Sequence, residues 1–213
     1  MVDAVEQVSG YAYEDAELNH SHQYLLPVIL RNLARLRLDP NQQRIFDLGC
    51  GNGSVAGKLT EAGYDVTGID PSEEGIAHAK VRYPALRLAK GSAYDDLASQ
   101  YGQFPVVVSL EVVEHVYFPR IYAATLYDLV EPGGLAIVST PYHGYWKNLV
   151  LAVTGKMDDH FTALLDHGHI KFWSFRTLRA LLEEAGFKEV TFERAGRVPI
   201  LAKSMIAIGK KSS

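Results

Sequence analysis

From residue 44 onward the chain alternates short apolar runs with amphipathic stretches, and few architectures accept that order. Residues 44–48 form an apolar run that ends in the turn Gly49-Cys50-Gly51-Asn52-Gly53. Ser54 stands where a helix cap belongs, with Val55, Ala56, Leu59 and Ala62 on one side and Gly63 as the stop. Residues 64–70 read as a second strand. Pro71 and Ser72 open a second helix whose first turn holds Glu73 and Glu74. Further strands are expected at 86–90, 106–110, 135–140, 190–194 and 205–210; residues 106–110 are continuously apolar, as a central parallel strand requires. Helices are expected from Pro119 to about Val130 and from Ser174 to Gly186, with Glu131-Pro132-Gly133-Gly134 as a turn before the fifth strand. Ahead of the first strand, Leu26, Ile29, Leu30, Leu33 and Leu36 recur at helical spacing. Pro27 suits the first turn of that helix, and Arg31, Arg35 and Arg37 make its solvated face. Right-handed β-α-β crossovers repeated in this way predict an α/β fold with a doubly wound, mostly parallel seven-stranded sheet. Its ligand site would lie beyond the carboxyl ends of the strands.

Composition bounds the function classes. At about 150 residues per domain, 213 residues predict a single domain over 1–213 with room for an elaboration. A hydrophobic share of 47% excludes a disordered chain. The formal charge of -4 disfavours a phosphate backbone as partner, so no nucleic-acid role is expected. The lone Cys50 allows no intrachain disulfide and fits a reducing cytoplasm. Residues 1–10 lack the basic-then-apolar pattern of an export signal, and no apolar run is long enough to span a bilayer. Two parts stand outside the bare scaffold: the N-terminal helical segment 1–40 and the stretch 142–174. The latter is too long for a structureless connection and reads as a functional insertion or lid.

The turn after the first strand carries the first chemical signal. Asp47 precedes Gly49, Gly51 and Gly53, and side chains at these glycines would obstruct a ligand lying against the backbone. The spacing G-x-G-x-G differs from the dinucleotide fingerprint G-x-G-x-x-G, which tilts against NAD, as does the lack of an evident Tyr-x-x-x-Lys set. Asp70 ends the second strand, where a carboxylate can accept both hydroxyls of a ribose. The expected ligand is a nucleoside.

These segments, with Gly68-Ile69-Asp70-Pro71-Ser72, Leu110-Glu111-Val112-Val113-Glu114-His115-Val116 and Glu131-Pro132-Gly133-Gly134, resemble the class I methyltransferases that use S-adenosylmethionine. The resemblance runs from about Arg44 to Lys210 and implies the Rossmann-like methyltransferase sheet. It implies that Gly49, Gly51 and Gly53 carry the methionine and ribose part of the cofactor, that Asp70 takes the ribose, and that Asp47 and Leu110 line the same site. The family often places an acid near the adenine after the third strand; this chain has Ser92 and Ala93 there, and Pro105 replaces the acid that commonly begins the fourth strand.

An acceptor hydroxyl must lose a proton, for which an imidazole or a metal-bound oxygen is suitable. Glu111, Glu114 and His115 stand at i, i+3 and i+4, so one helical turn would bring them to a common face able to hold a divalent metal such as Mg. The chain looks most like the O-methyltransferases of ubiquinone biosynthesis, whose matching Glu-x-x-Glu-His is linked to metal and to catechol-type acceptors. Alternatively, Glu114 and His115 brace the loop, or His115 acts as a direct base, with His169 second in line. In the insertion, Trp146, Leu149, Val150 and Val153 share one helical face, which ordinarily packs on its own domain. The other reading is a lid, or an interfacial helix peripheral to a membrane, that admits a lipophilic acceptor. His160 and His167-Gly168-His169 do not match structural zinc spacing. Thr140-Pro141-Tyr142 falls after the fifth strand rather than the fourth, away from the Pro-Pro-Tyr position of base methylases. Tyr11, Tyr13, His20 and Tyr24 can reach over the site from the N-terminal side, with no spacing argument to place them.

The expected function is therefore methyl transfer from S-adenosylmethionine to an oxygen of a small-molecule acceptor, phenolic or catechol-like. The rivals are a carboxylate, amine or phosphonate acceptor handled without metal, and a cofactor-binding partner protein without turnover.

Overall fold

Every residue of β4 (Phe104–Leu110) is buried, and a strand apolar on both faces must be covered on both. In the computed structural model, which describes residues 13, 15–36, 38, 43–161, 163–164, 168–198 and 201–213, β4 lies at the middle of a seven-stranded sheet. The other strands are β1 (Arg44–Leu48), β2 (Asp65–Asp70), β3 (Arg87–Lys90), β5 (Val130–Pro141), β6 (Lys188–Ala195) and β7 (Ser204–Lys210). Their order is β3-β2-β1-β4-β5-β7-β6. The first five are parallel, while β7 runs antiparallel to both β5 and β6. The chain order reverses between β1 and β4, and a crevice at such a switch point is where α/β sheets hold their ligands.

Helices cover both faces. One apolar cluster joins α1 (His20–Arg35) and α2 (Ser54–Glu61) to β1, β2 and β4 through Leu25, Ile29, Leu33, Ile45, Leu59 and Val106. The other packs α5 (Pro119–Leu129) and α8 (Phe175–Ala185) on the opposite face through Phe46, Val107, Tyr122, Leu126, Leu182 and Phe187. The remaining helices are α3 (Glu73–Arg82), α4 (Leu97–Tyr101), α6 (Tyr145–Val153) and α7 (Met157–Phe161), the last two inside the insertion.

Several local expectations are corrected. α1 starts at His20, capped by Asn19, whose side chain accepts the His22 N–H, so Pro27 lies inside the helix instead of in its first turn. Polar residues 20–23 hid that start from a reading based on apolar spacing. Ser54 is the first helical residue of α2 and does not cap it; Gly53, left-handed at φ 76°, is the cap, and Asn52 Oδ1 accepts the Ser54 N–H. Residues 131–134 do not leave the sheet: they form an irregularity within β5, where the pairing jumps from Phe104↔Val130 to Val106↔Leu135. Pro105 sits at that jump, where a missing N–H costs the ladder least. The apolar face of α6 is not packed on the domain: Trp146 is 62% exposed and Val153 79% exposed. Arg31 and Arg35 are exposed as expected and pair with Glu193, while Arg37 lies outside the described residues.

Gly53 is needed for two independent reasons. Its φ is unfavourable for any side chain, and a Cβ there would press on Leu88 and Ala79 at 2.8 and 2.9 Å. Gly53→Ala is expected to lower unfolding stability by roughly 1–3 kcal/mol, read from the urea midpoint at unchanged slope.

Candidate functional site

β1 and β2 end side by side, and the turn between β1 and α2 folds over both ends. The Gly49 and Cys50 N–H groups both donate to Ile69 O at 2.9 Å, which locks the turn to β2. Asp70 completes the lock: its Oδ2 accepts the Gly51 N–H at 2.9 Å and its Oδ1 accepts the Ser72 N–H at 2.8 Å. A carboxylate oxygen has two acceptor positions, so each still has one to offer. Burial pushes Asp70 up to about 6, with the Ser72 and Gly51 N–H groups opposing the shift. Asp47 is also buried; burial first and the Asp70 charge second push it up to about 7. Its Oδ2 has no hydrogen-bond partner among the described residues.

All three glycines of the turn are left-handed, at φ 88°, 52° and 76°. Their open space differs from the sequence expectation. A Cβ on Gly49 would strike Val112, and one on Gly53 would strike Leu88 and Ala79, so those two serve the protein's own packing. At Gly51 the obstructed group is the Tyr13 ring. Beyond β3, Ser92 and Ala93 form a tight turn in which Asp95 Oδ2 accepts the Ser92 N–H at 2.7 Å. Leu110 is buried at the end of β4.

The segment after β4 is not the helical turn that the spacing suggested. Glu111 is left-handed at φ 56°, uncommon for a residue with a side chain, and a turn closed by the His115 N–H on Val112 O follows. Glu111 thereby leaves the predicted ligand set of Glu111, Glu114 and His115. Its N–H donates to Ser139 Oγ; its Oε1 accepts from the Ser139 hydroxyl at 2.8 Å, and its Oε2 from the Ser204 hydroxyl at 3.4 Å. Tyr24 shares a hydrogen bond with Ser204 at 2.9 Å. Burial raises Glu111 to about 7, with Ser139, Ser204 and Lys147 opposing.

Glu114 and His115 instead meet His169. Ligand-capable atoms of the three lie within 4.8 Å of one another, and the two imidazoles stand 4.9 Å apart at a steep angle. The end of the insertion brings His169 there: the Ile170 and Lys171 N–H groups donate to Glu114 O, and Trp173 Nε1 donates to Val113 O, all at 3.0 Å. Glu114 is 1% exposed; its Oε1 lies 4.0 Å from His169 Nε2, the Thr140 hydroxyl opposes its pKa shift, and neither carboxylate oxygen makes a well-formed hydrogen bond among the described residues. Burial first and Glu111 second push it well above the carboxylate range. Burial first, then His115 and His160, push His169 down to about 4, while its side chain stays 41% exposed with Nε2 4.0 Å from Glu114 Oε1. His167 and Tyr11 lie outside the described residues.

Sequence reasoning missed Ser139, Ser204 and Lys147. The serines carry no motif, since only the pairing of β5 with β4 and β7 brings them to Glu111. Lys147 on α6 donates to Tyr142 O at 2.9 Å; burial and Arg197 lower its pKa, while Glu111 raises it.

Residues 18–191 match the family described as "Methyltransferase domain". A protein of Roseobacter denitrificans named "Ubiquinone biosynthesis O-methyltransferase" is 35% identical over 153 residues, 69% of this chain and 60% of that protein. One of the same name from a Ruegeria species is 33% identical over 170 residues, 77% of this chain and 68% of that protein. The chain thus spans about 60% of the length of the Roseobacter relative. Among solved structures, a SAM-dependent methyltransferase of Archaeoglobus fulgidus superposes with a TM-score of 0.62 at 18% identity, over 87% of this chain and 94% of that one, a likeness of fold.

The Asp47 carboxyl has a direct signature. Raised above its unfolded value, its contribution to stability is complete below about pH 4 and lost as the pH rises through about 7. The stability advantage of Asp47→Asn over the unsubstituted protein should therefore grow across that window to the order of a few kcal/mol and level off above it. Urea unfolding of both proteins from pH 4 to 8 reads the gap; a gap that ignores pH would mean an ordinary carboxylate.

Proposed function

The chain belongs to the methyltransferase domain family, and from that premise we propose that it binds S-adenosylmethionine across the Gly49–Gly53 turn and methylates an oxygen of a small phenolic or catechol-like acceptor. The observation that carries this reading is the pair of buried acids at adjoining strand ends. Asp47 has an oxygen without a partner, and Asp70 has acceptor positions left on both of its oxygens. A ligand with an ammonium and a ribose diol satisfies both, and its positive charge offsets the cost of burying Asp47.

When bound, S-adenosylmethionine supplies a sulfonium whose methyl group is already electrophilic. The residues have the remaining work of alignment, dryness and proton removal. Asp70 orients the ribose and Asp47 holds the amino-acid end. Residues 170–173, hydrogen-bonded to Val113 and Glu114, shield the acceptor side. His115, beside His169, takes the acceptor's proton. The serine-held Glu111 orients the acceptor hydroxyl.

A second reading of the same cluster is favoured by the oxygens of Glu114, neither of which makes a well-formed hydrogen bond among the described residues. Glu114, His115 and His169 form a donor set of one carboxylate and two imidazoles that suits a divalent cation, which would lower the pKa of an acceptor hydroxyl.

The relatives named for ubiquinone biosynthesis and the outward apolar residues of α6 support a lipophilic acceptor met at a membrane surface. Lys147 of that helix turns toward Glu111, while Trp146, Val150 and Val153 are exposed. No described helix is long and apolar enough to cross a membrane, so the contact would be peripheral.

Incubation with methyl-labelled S-adenosylmethionine and a panel of catechols, phenols, carboxylates and amines, with and without chelator, tests the reaction. Label on a catechol oxygen is the expected result, and its loss in chelator selects the cation reading. Tight cofactor binding with no labelled product would favour a partner protein. For the surface contact, flotation with zwitterionic vesicles should carry the protein upward and leave Trp146→Glu/Val150→Glu behind; equal behaviour of both would remove that contact from the proposal.

A further inference from the structure

The residues ahead of α1 are tied to the glycine turn by one side chain. Asn52 is buried, and its Nδ2 donates to two backbone carbonyls of the preceding segment, Asp15 O at 2.8 Å and Glu17 O at 3.0 Å. Its Oδ1 accepts the Ser54 N–H, so one amide joins the N-terminal segment, the turn and the start of α2. Tyr83 adds a bond from its hydroxyl to Ala16 O at 3.4 Å, and Asp15 Oδ1 accepts the Glu17 N–H at 2.8 Å. Residues 15–17 are thus a strap fixed to the rim of the crevice.

Tyr13, at the head of that strap, lies over the crevice. A Cβ on Gly51 would collide with its hydroxyl and ring, and a Cβ on Gly75, in the first turn of α3, would meet the other side of the same ring at 2.9 Å. The ring therefore bridges the glycine turn and the start of α3. These are the two elements whose N–H groups at Gly51 and Ser72 hold Asp70. Neither glycine could be replaced without moving the tyrosine, whose ring fills the side-chain space of a glycine on each side of Asp70.

We infer that Tyr13 is the cover of the cofactor crevice, a positioning residue whose place is set by Asn52 and which retains bound cofactor by closing the space between the glycine turn and α3. The inference rests on the proposed binding of S-adenosylmethionine there. An aromatic ring suits the task, because it removes a large apolar area from water at a small cost in side-chain entropy.

The test measures association and release of S-adenosylmethionine and its demethylated product by stopped flow, with equilibrium affinity by calorimetry, on the unsubstituted chain and on Tyr13→Ala, Tyr13→Phe and Asn52→Ala. Tyr13→Ala should release cofactor roughly tenfold faster or more without slower association, and Asn52→Ala should move in the same direction. Tyr13→Phe keeps the ring and should release cofactor more slowly than Tyr13→Ala. Hydrogen exchange supplies a readout that a packing role would not move. Cofactor should slow exchange at residues 15–17 in the unsubstituted chain and not in Tyr13→Ala. Unchanged release from Tyr13→Ala beside tight binding by the unsubstituted chain overturns this inference alone. Tighter binding by Tyr13→Ala overturns it too, since the ring would then be a competitor. An unsubstituted chain that binds neither compound removes the proposed function, and the inference with it.

Discussion

The carboxylate of Asp70 is the point on which the site is built. It lies at the end of β2, buried, and takes one N–H from the glycine turn and one from the residue that caps α3. Those two bonds hold the glycine turn after β1 against the start of α3, on the β2 side of the crevice. A side chain without acceptor oxygens would leave two N–H groups without partners in a closed space, where each costs on the order of 1–3 kcal/mol. The left-handed glycines follow from the same constraint, since the turn must rise over two strand ends while keeping its N–H groups aimed inward.

Around that point the protein gathers more buried acid than it neutralises. Asp47, Asp70, Glu111 and Glu114 are all raised by burial, and the Asp70 charge raises Asp47 further as the Glu111 charge raises Glu114. Lys147 is the half-buried cation that opposes the Glu111 shift. Such an interior favours positive or proton-rich ligands, because each neutralised carboxylate recovers part of the cost of its burial.

The sheet was legible because its signals are local. Apolar runs, glycine stops and acidic first turns each act within a few residues, and they place all seven strands to within a few positions. The placement of Asp47, Asp70 and the glycines at the strand ends was legible for the same reason. What stayed hidden depends on contacts between distant segments. No spacing tells that His169 folds onto His115, because backbone bonds from 170 and 171 to Glu114 bring it there. The helical-turn reading of Glu111, Glu114 and His115 failed for a related reason: a positive φ at Glu111 cannot be read from a glutamate. Ser139 and Ser204 became site residues only through the register of β5 with its neighbours.

The insertion shows how a long connection becomes part of a rigid site while keeping an apolar surface. Its far end is anchored by three hydrogen bonds to main-chain carbonyls of Val113 and Glu114 and by the largely buried Trp173 ring. Its near end is held by Tyr142, which pairs in register with β7 through Pro141 and lies beside Phe175 and under Arg194. Between these anchors, α6 and α7 contribute no fully buried residue. Chain fixed at both ends, with little burial between, has low local stability and opens without unfolding the sheet. The anchored end meanwhile keeps His169 against Glu114 and His115.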